Sequence, residues 1–520
     1  MMENASGSLP VLYAPSGVRS ALNLEQLRTI GEADLAAWLA ARRWFGSKAA
    51  NAKHARILDS VKLPSASANL ALCRLTAELG DGRVERYQLP LMVLESEEQP
   101  QNALARVKAD GASAWLCDAA GSAHFARALL GAYTSDAEVS EGGTSWRFTL
   151  EPGVNGAALA DTTPEPLTGE QSNSSIRCGN VAMLKLYRKL EAGPHPEVEM
   201  TRYLTRVADF DHVPQLLGVA SVNDGHGGSE VVSMLQALVP NAEDCWDRSV
   251  GHARKYMSAP GEGDPPNPFG AEALELGRVT REMHEALAAA AVDDISMLPQ
   301  DADVEDVATW VRSARTAVFS TLDLLADARE AGRLEGPAAA AADAVLRRRK
   351  ELVSGLDDVE PTVKGDGGLC IRIHGDYHLG QVLRGGDRRF WIMDFEGEPA
   401  RLLAERRGQH SALRDVAGML RSFAYAAATA ARLVGGVGVN PVVELRLSRW
   451  ERAARAAFIE GYEKAAPAGS TLLPRDDHAR SRLLDMFEAE KVFYELAYEL
   501  NNRPEWTWIP LRGIARLLGR

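Results

Sequence analysis

The stretch IRIHGDYHLGQVLRGGDRRFWIMDFEGEP, residues 371–399, holds side chains whose types and spacing suit a chemical task. Asp376 follows His374 and Gly375, Gln381 completes the spacing D-x-x-x-x-Q, and Asp394 opens the run Asp394-Phe395-Glu396-Gly397-Glu398. A loop carboxylate, an amide oxygen shortly after it and a second carboxylate at a strand end suit phosphoryl transfer. That reaction needs an acceptor hydroxyl held in line with phosphorus and a cation bridging the phosphate oxygens, with little covalent help from the protein. Asp376 would face the hydroxyl. Gln381 and Asp394 would hold Mg2+, which takes a few protein oxygens and keeps the rest of its shell for water and phosphate. Taken alone, His-Gly-Asp is equally well read as a capped turn between two core strands; Gln381 and Asp394 in register weigh against that.

Short strands must flank such a loop, and residues 371–373 and 389–393 read as strands. Further upstream, VAMLKLY at 181–187 places Lys185 in an apolar strand, where a lysine needs an anion. The next helix starts near Pro196 and offers Glu197 and Glu199. Glu199 shares a face with Tyr203 and is read as the carboxylate that orients Lys185; Glu197 is read as a first-turn acid. The rival reading makes Lys185 an edge-strand surface residue. Before that strand, LTGEQSNSSI at 167–176 is a polar turn whose backbone amides and hydroxyls, at Ser172, Asn173 and Ser174, would lie over phosphates. It is neither G-x-G-x-x-G nor a Walker A loop, and an ordinary hairpin competes with it. Strands follow at 213–219 and 230–238. The second ends before Pro240, so Gln236 to Leu238 is where the chain would cross between lobes and an adenine ring would meet backbone groups.

Residues 1–134 hold no catalytic constellation and read as a separate cap. A helical pattern over 23–41 runs into Arg42-Arg43-Trp44-Phe45-Gly46-Ser47-Lys48, a packed turn whose aromatics anchor helix to sheet. Strands are expected at 55–63, 69–79 and 85–93, with Gly80-Asp81-Gly82 between the last two, and a helix over 115–133. Beyond 240 the pattern is helical: 244–256, 271–290, 303–330, 337–356, one from 414, then 441–465 and 476–500. A Pro/Gly-rich loop at 258–270 interrupts it. His284 lies on an apolar helix face and reads as a satisfied core histidine. Asp415 would cap its helix or support the catalytic loop, with a structural role favoured. Lys491, Tyr494, Glu495, Tyr498 and Glu499 recur at helical spacing. They would contact a sugar through ring stacking and carboxylate acceptors, or serve ordinary interhelix packing.

Bulk properties set limits. Lys and Arg number 58 against 71 Asp and Glu, a net charge of −13 that argues against nucleic acid as the main partner. Five scattered cysteines with no C-x-x-C pair argue against a disulfide framework or zinc site. MMENASGSLP has no signal-peptide pattern. The most membrane-like stretch, 422–439, carries Arg432 and several glycines and reads as a buried Ala-rich helix with its exit. A cytoplasmic protein, monomeric or a weak homo-oligomer, is expected, with no membrane partner.

Read together, WLAARRWFGSKA, GEQSNSSI, VAMLKLY with HPEVEMTRYL, MLQALVPN, HGDYHLGQVL, DFEGEP with ERR, RDVAGMLRSFAYA and KVFYELAYELNNRP occur in order from residue 38 to about 504. In this the chain resembles bacterial maltokinases, within the aminoglycoside-phosphotransferase and eukaryotic-like kinase superfamily. HGDYHLGQV with DFEGEP is specific at family level; GEQSNSSI is much less so. The resemblance implies an α+β, bilobal protein-kinase-like fold: a cap at 1–134, a nucleotide-binding N-lobe with a mixed, largely antiparallel sheet at 135–240, and a mainly helical C-lobe at 241–520 carrying the catalytic loop and sugar site. It implies phosphorylation of maltose by ATP and Mg2+ at the anomeric hydroxyl, giving maltose 1-phosphate for α-glucan (glycogen) synthesis. Carried over by residue, it implies Asp376 as catalytic base and Gln381 and Asp394 as Mg2+ ligands. Lys185 would hold ATP phosphates, oriented by Glu199, with Ser172, Asn173 and Ser174 over them and Gln236 and Leu238 at the adenine. His378 and Glu396 would lie beside the site, and Lys491, Tyr494, Glu495 and Tyr498 would form the sugar site. Two departures stand out: Tyr377 occupies a position that is often Leu, and 251–270 is longer and richer in Pro and Gly than expected. The rivals are a kinase for glucosamine or another amino sugar, against which DFEGEP leans, and an aminoglycoside kinase, which would lack the cap. A third, a pseudokinase partner of a glucan enzyme, is opposed by the presence of Lys185, Asp376, Gln381 and Asp394.

Overall fold

The computed structural model describes residues 9–63, 69–167, 172–223, 228–261, 269–290, 295–399, 401–435 and 440–519. The chain divides into two compact units, Met1–Arg202 with Pro214–Leu238, and Tyr203–Val213 with Val239–Arg520. The first is sheet-rich and the second mainly helical, an α+β architecture.

Two seven-stranded sheets build the first unit. In one, Ala52–Lys62, Leu70–Leu79 and Val84–Leu94 form an antiparallel meander, as their apolar patterning predicts, and Gly82 makes the turn at φ 85°. Val84–Leu94 continues the sheet to Ala112–Asp118 and Ala103–Ala109, and Val11–Tyr13 closes it in parallel. The Trp-Phe turn works as an anchor: Trp44 lies 6.3 Å from the Trp38 ring of the helix and Phe45 5.4 Å from Tyr87 of the sheet. The helix expected over 115–133 is corrected. Residues 112–118 pair as a strand, and the helix is Ala123–Thr134, capped by Ser122. The apolar run across 115–133 masks the break, which Asp118 and Ser122 mark by bonding the amides that follow them.

The second sheet runs Glu138–Glu141, Thr144–Leu150, Leu216–Asn223, Ser229–Ala237, Ala182–Tyr187, Asn173–Cys178, Pro164–Pro166. The Lys185 strand thus has a partner on each side, which removes the edge-strand reading.

In the second unit, Cys245–Met257, Phe269–Ala288, Val304–Glu330, Leu413–Leu433, Pro441–Lys464 and Asp477–Asn502 follow the expected helices closely. The helix expected over 337–356 breaks at Arg348 into Gly336–Arg347 and Arg349–Ser354, and a closing helix, Trp508–Leu517, was not foreseen. Phe269–Ala288 and Pro441–Lys464 meet backbone to backbone: a Cβ on Gly461 would sit 1.9 Å from the Leu274 carbonyl oxygen, and one on Gly277 2.0 Å from that of Phe458. Most of the Pro/Gly-rich loop, 262–268, lies outside the described residues. Among the described residues no helix is long and apolar enough to cross a membrane, and the Ala-rich run is buried inside Leu413–Leu433. All five cysteines are buried and unpaired with one another.

Candidate active site

Leu369–Ile371 delivers the chain into the His374–Gln381 loop, and the hairpin Val382–Arg384, Phe390–Ile392 brings it back to Asp394. His374 joins the two ends. Its Nε2 meets the Met393 carbonyl at 2.8 Å, its Nδ1 accepts from Asp376 N at 3.4 Å, and its ring packs 4.8 Å from Phe395. Gly375 and Gly397, at φ 82° and 72°, let the loops touch; a Cβ on Gly375 would lie 3.2 Å from Gly397 Cα. Of the two roles expected for Asp415, helix cap or support of the loop, the structure shows the second: Oδ2 accepts from His374 N at 2.8 Å and Oδ1 from Gly375 N at 2.9 Å. Its helix has no side-chain cap. Burial would raise the Asp415 carboxyl, but His284, His374 and the Gly375 amide together hold it below the usual range. His284 is the satisfied core histidine expected, bonded to Asp415 at 3.2 Å and to the Tyr462 hydroxyl at 2.8 Å. The Tyr377 departure is compensated, because its buried hydroxyl pairs with Thr280 Oγ1 at 2.9 Å.

Gln381 Nε2 donates to Asp394 Oδ2 at 2.9 Å, so these two side chains converge. Asp394 holds a left-handed φ of 68°, a conformation that costs a non-glycine residue and is concentrated at functional sites. The Gln381 amide oxygen and the Asp394 carboxylate are hard donors of the kind Mg2+ accepts, so the residue types fit that ion, although the bond between the two side chains uses the amide nitrogen.

Asp376 is half-buried, with His378 Nε2 at 3.9 Å and the Lys491 ammonium at 3.8 Å. Burial holds His378 below the ordinary imidazole value against the pull of Asp376, and its Nδ1 accepts from Gly380 N at 3.1 Å. Two cavities open on Asp376. One, of about 580 Å³, has aromatic walls from Trp246, Tyr425 and Trp506, with His378, Lys491 and Glu495 alongside. The other, of about 480 Å³, is walled by Glu398, Arg401, Arg414, Glu490 and Tyr494. Two of its carboxylates are matched by arginine, Glu398 at 3.0 Å from Arg401 and Glu490 at 3.0 Å from Arg414, while a third, Glu405, accepts from Leu402 N at 3.1 Å. Burial would raise Glu398, but Lys491, Arg401 and the Tyr494 hydroxyl outweigh it and hold it low. Glu495 Oε2 is taken by Arg421 at 2.9 Å. Tyr498 is exposed beneath Arg503, 5.4 Å away, and neither it nor Glu396 is among the residues lining either cavity.

In the first unit, Lys185 Nζ donates to Glu197 Oε2 at 2.8 Å, and the Tyr187 hydroxyl reaches the same oxygen at 2.7 Å. The role expected of Glu199 therefore passes to Glu197. Two residues apart on a helix means about 200° of rotation, and Glu197 is the buried one, at 2% exposure. Asn173 and Ser174 open the neighbouring strand, which pairs Ser175 with Lys185, while Ser172 is exposed just before it. Residues 168–171 of that turn lie outside the described residues. Gln236 pairs between Met183 and Leu216. The Leu238 amide donates to Val181 O at 2.9 Å, which leaves that residue's carbonyl for any crossover role.

Sequence reasoning missed the Trp246, Tyr425 and Trp506 walls, which come from three separate segments, and Glu398, although it lies within the quoted DFEGEP run.

Residues 38–121 match the maltokinase N-terminal cap domain. The chain is 28% identical over 367 residues to a glucosamine kinase of Streptacidiphilus jiangxiensis, covering 69% of this chain and 76% of that one. It is 27% identical over 451 residues to a glucosamine kinase of Mycolicibacterium smegmatis, covering 85% and 97%. Among solved structures it is similar to a glucosamine kinase in complex with glucosamine, ADP and inorganic phosphate, with TM-score 0.61, 20% identity and coverage of 93% and 99%. A second crystal form of a glucosamine kinase gives TM-score 0.63 at 21% identity, covering 93% and 99%. These structural likenesses establish a kinase-like fold.

Proposed function

We propose, for a chain that belongs with the maltokinase-capped sugar kinases of the aminoglycoside-phosphotransferase-like family, that it phosphorylates maltose at the anomeric hydroxyl. ATP with Mg2+ supplies the phosphoryl group. In this reading Asp376 accepts the hydroxyl proton and aims the oxygen, and Gln381 and Asp394 hold the cation. Lys185, steadied by Glu197, holds phosphate oxygens with the turn at Ser172, Asn173 and Ser174. Residues 1–134 serve as cap, 135–240 as nucleotide-binding lobe and 241–520 as catalytic and sugar-binding lobe. The product, maltose 1-phosphate, would feed α-glucan synthesis in the cytoplasm.

The observation that carries a neutral sugar is the surroundings of Asp376. Aromatic faces at Trp246, Tyr425 and Trp506 suit the apolar faces of pyranose rings, and Asp376 already has the Lys491 ammonium beside it. Glu398, Glu490 and Glu495 are each met by an arginine, so an ammonium would find few uncommitted carboxylates. The second reading, glucosamine as acceptor, is favoured by the names of the relatives, one of which matches along 97% of its length. Coupled turnover with Mg2+ and ATP on maltose, glucose, glucosamine and an aminoglycoside, with 31P NMR of the product, tests the two. Preference for maltose with phosphate on the anomeric carbon is expected; preference for glucosamine would overturn the acceptor and keep the family.

A further inference from the structure

Two carboxylates stand among the residues lining the aromatic-walled cavity, Asp376 and Glu495. Asp376 has the Lys491 ammonium at 3.8 Å. Arg503 lines the same cavity but is committed to Glu499, at 2.9 Å and 2.7 Å. Glu495 is answered from behind the wall. Arg421, on Leu413–Leu433, donates from Nε to Glu495 Oε2 at 2.9 Å, and its Nη2 lies 2.7 Å from the same oxygen. Their side chains are 2% and 11% exposed, so water screens this pair little.

Arg421 is closed in by its surroundings. Its guanidinium lies 5.9 Å from the centre of the Tyr425 ring, and a Cβ on Gly513 of the closing helix would press on its Nη1. Another buried acid of the Asp477–Asn502 helix, Glu488, is held by Arg455 at 2.8 Å and by Arg516. Arg421 Nη1 is buried with no hydrogen-bond partner among the described residues. A buried ion pair gives little net stability over apolar residues of the same volume, and an unmatched buried donor adds a cost. The pair is therefore poorly explained by stability alone. What it does for the cavity is specific: Glu495 keeps an oxygen acceptor in the wall while its charge is cancelled.

We propose that Arg421 sets the acceptor class by neutralising Glu495, so that the cavity admits an uncharged sugar and gives an ammonium no anionic partner. Without Arg421, Glu495 would be a low-dielectric carboxylate facing the acceptor, the kind of group that selects a cation. Arg421 is a specificity-determining residue that acts through Glu495 rather than by touching substrate. The inference rests on the reading of this cavity as the acceptor site.

The test is competition of glucose and of glucosamine against maltose turnover, at a pH where the amine is protonated, on the full chain and on Arg421→Gln and Glu495→Gln. The two competitors share a ring and differ by a hydroxyl or an ammonium. Relative to glucose, glucosamine should compete about tenfold better in Arg421→Gln, where Glu495 is left unpaired. It should compete about tenfold worse in Glu495→Gln, where the arginine is left unpaired. KM for ATP should stay within twofold of wild type in both. Opposite signs separate a charge effect from damaged packing, which would weaken both competitors together. Thermal melts check folding; should Arg421→Gln not fold, Glu495→Gln, which keeps the shape of the side chain, decides. A ratio within twofold of wild type in a folded variant, or a shift of the wrong sign, would overturn the role of Arg421 and leave the acceptor reading intact. A wild-type chain that does not phosphorylate maltose would overturn both.

Discussion

At the residue scale, the site is a few side chains made rigid by others that do no chemistry. Asp376 is steered by its own backbone, which donates to His374, and His374 is tied to Met393. Asp376→Asn keeps this packing and removes the acceptor for a proton, so kcat should fall by about two orders of magnitude or more with ATP affinity retained; near-wild-type turnover would end the assignment. Asp415→Ala strips two loop amides and His284 of their shared acceptor. Its cost in unfolding free energy should be about 3–5 kcal/mol by urea titration, the range for breaking a buried charge network. The sign with pH follows from the depressed Asp415 carboxyl. Its contribution is complete above the ordinary Asp value of about 3.9 and is lost as pH falls through the folded value, so wild type and Asp415→Asn should converge in stability there. The acidic motif residues were legible in the sequence because their spacing is local. The choice of Glu197 over Glu199 was not, since both are first-turn acids and only packing decides which faces the strand.

At the scale of elements, periodicity identified most strands and helices to within a few residues, and failed where an apolar run crossed a boundary. Residues 115–133 show this: strand and helix are equally apolar, and short polar markers at Asp118 and Ser122 separate them. Close helix packing was likewise hidden. A glycine inside a helix costs helix propensity, yet Gly277 and Gly461 each remove a Cβ from a backbone contact between two helices. Gly461→Ala should therefore destabilise the protein by about 3 kcal/mol, the upper part of the overpacking range, because the clashing partner is a carbonyl oxygen that no rotamer change can move. A melting temperature equal to wild type would refute it. An alanine on an exposed helix position should instead be neutral or stabilising.

At the scale of the whole molecule, the proposed reaction carries a dependence on Mg2+. Chelation with EDTA should abolish turnover and Mg2+ addition should restore it, while the thermal melt moves little, since the Gln381–Asp394 bond forms between protein groups alone. Turnover that survives exhaustive chelation would remove both residues from the metal role. By itself the sequence determined the reaction class, because D-x-x-x-x-Q and the Asp-Phe strand end are short-range patterns whose chemistry depends on spacing. It also determined the α+β order of elements, because burial imposes a period of two on strands and of about 3.6 on helices. Only the tertiary structure decided which carboxylate meets Lys185, that Asp415 holds the loop, and which rings wall the cavity beside Asp376. Each of these is a contact between segments far apart in the chain, set by which faces pack together, and no local pattern of residue types carries that information.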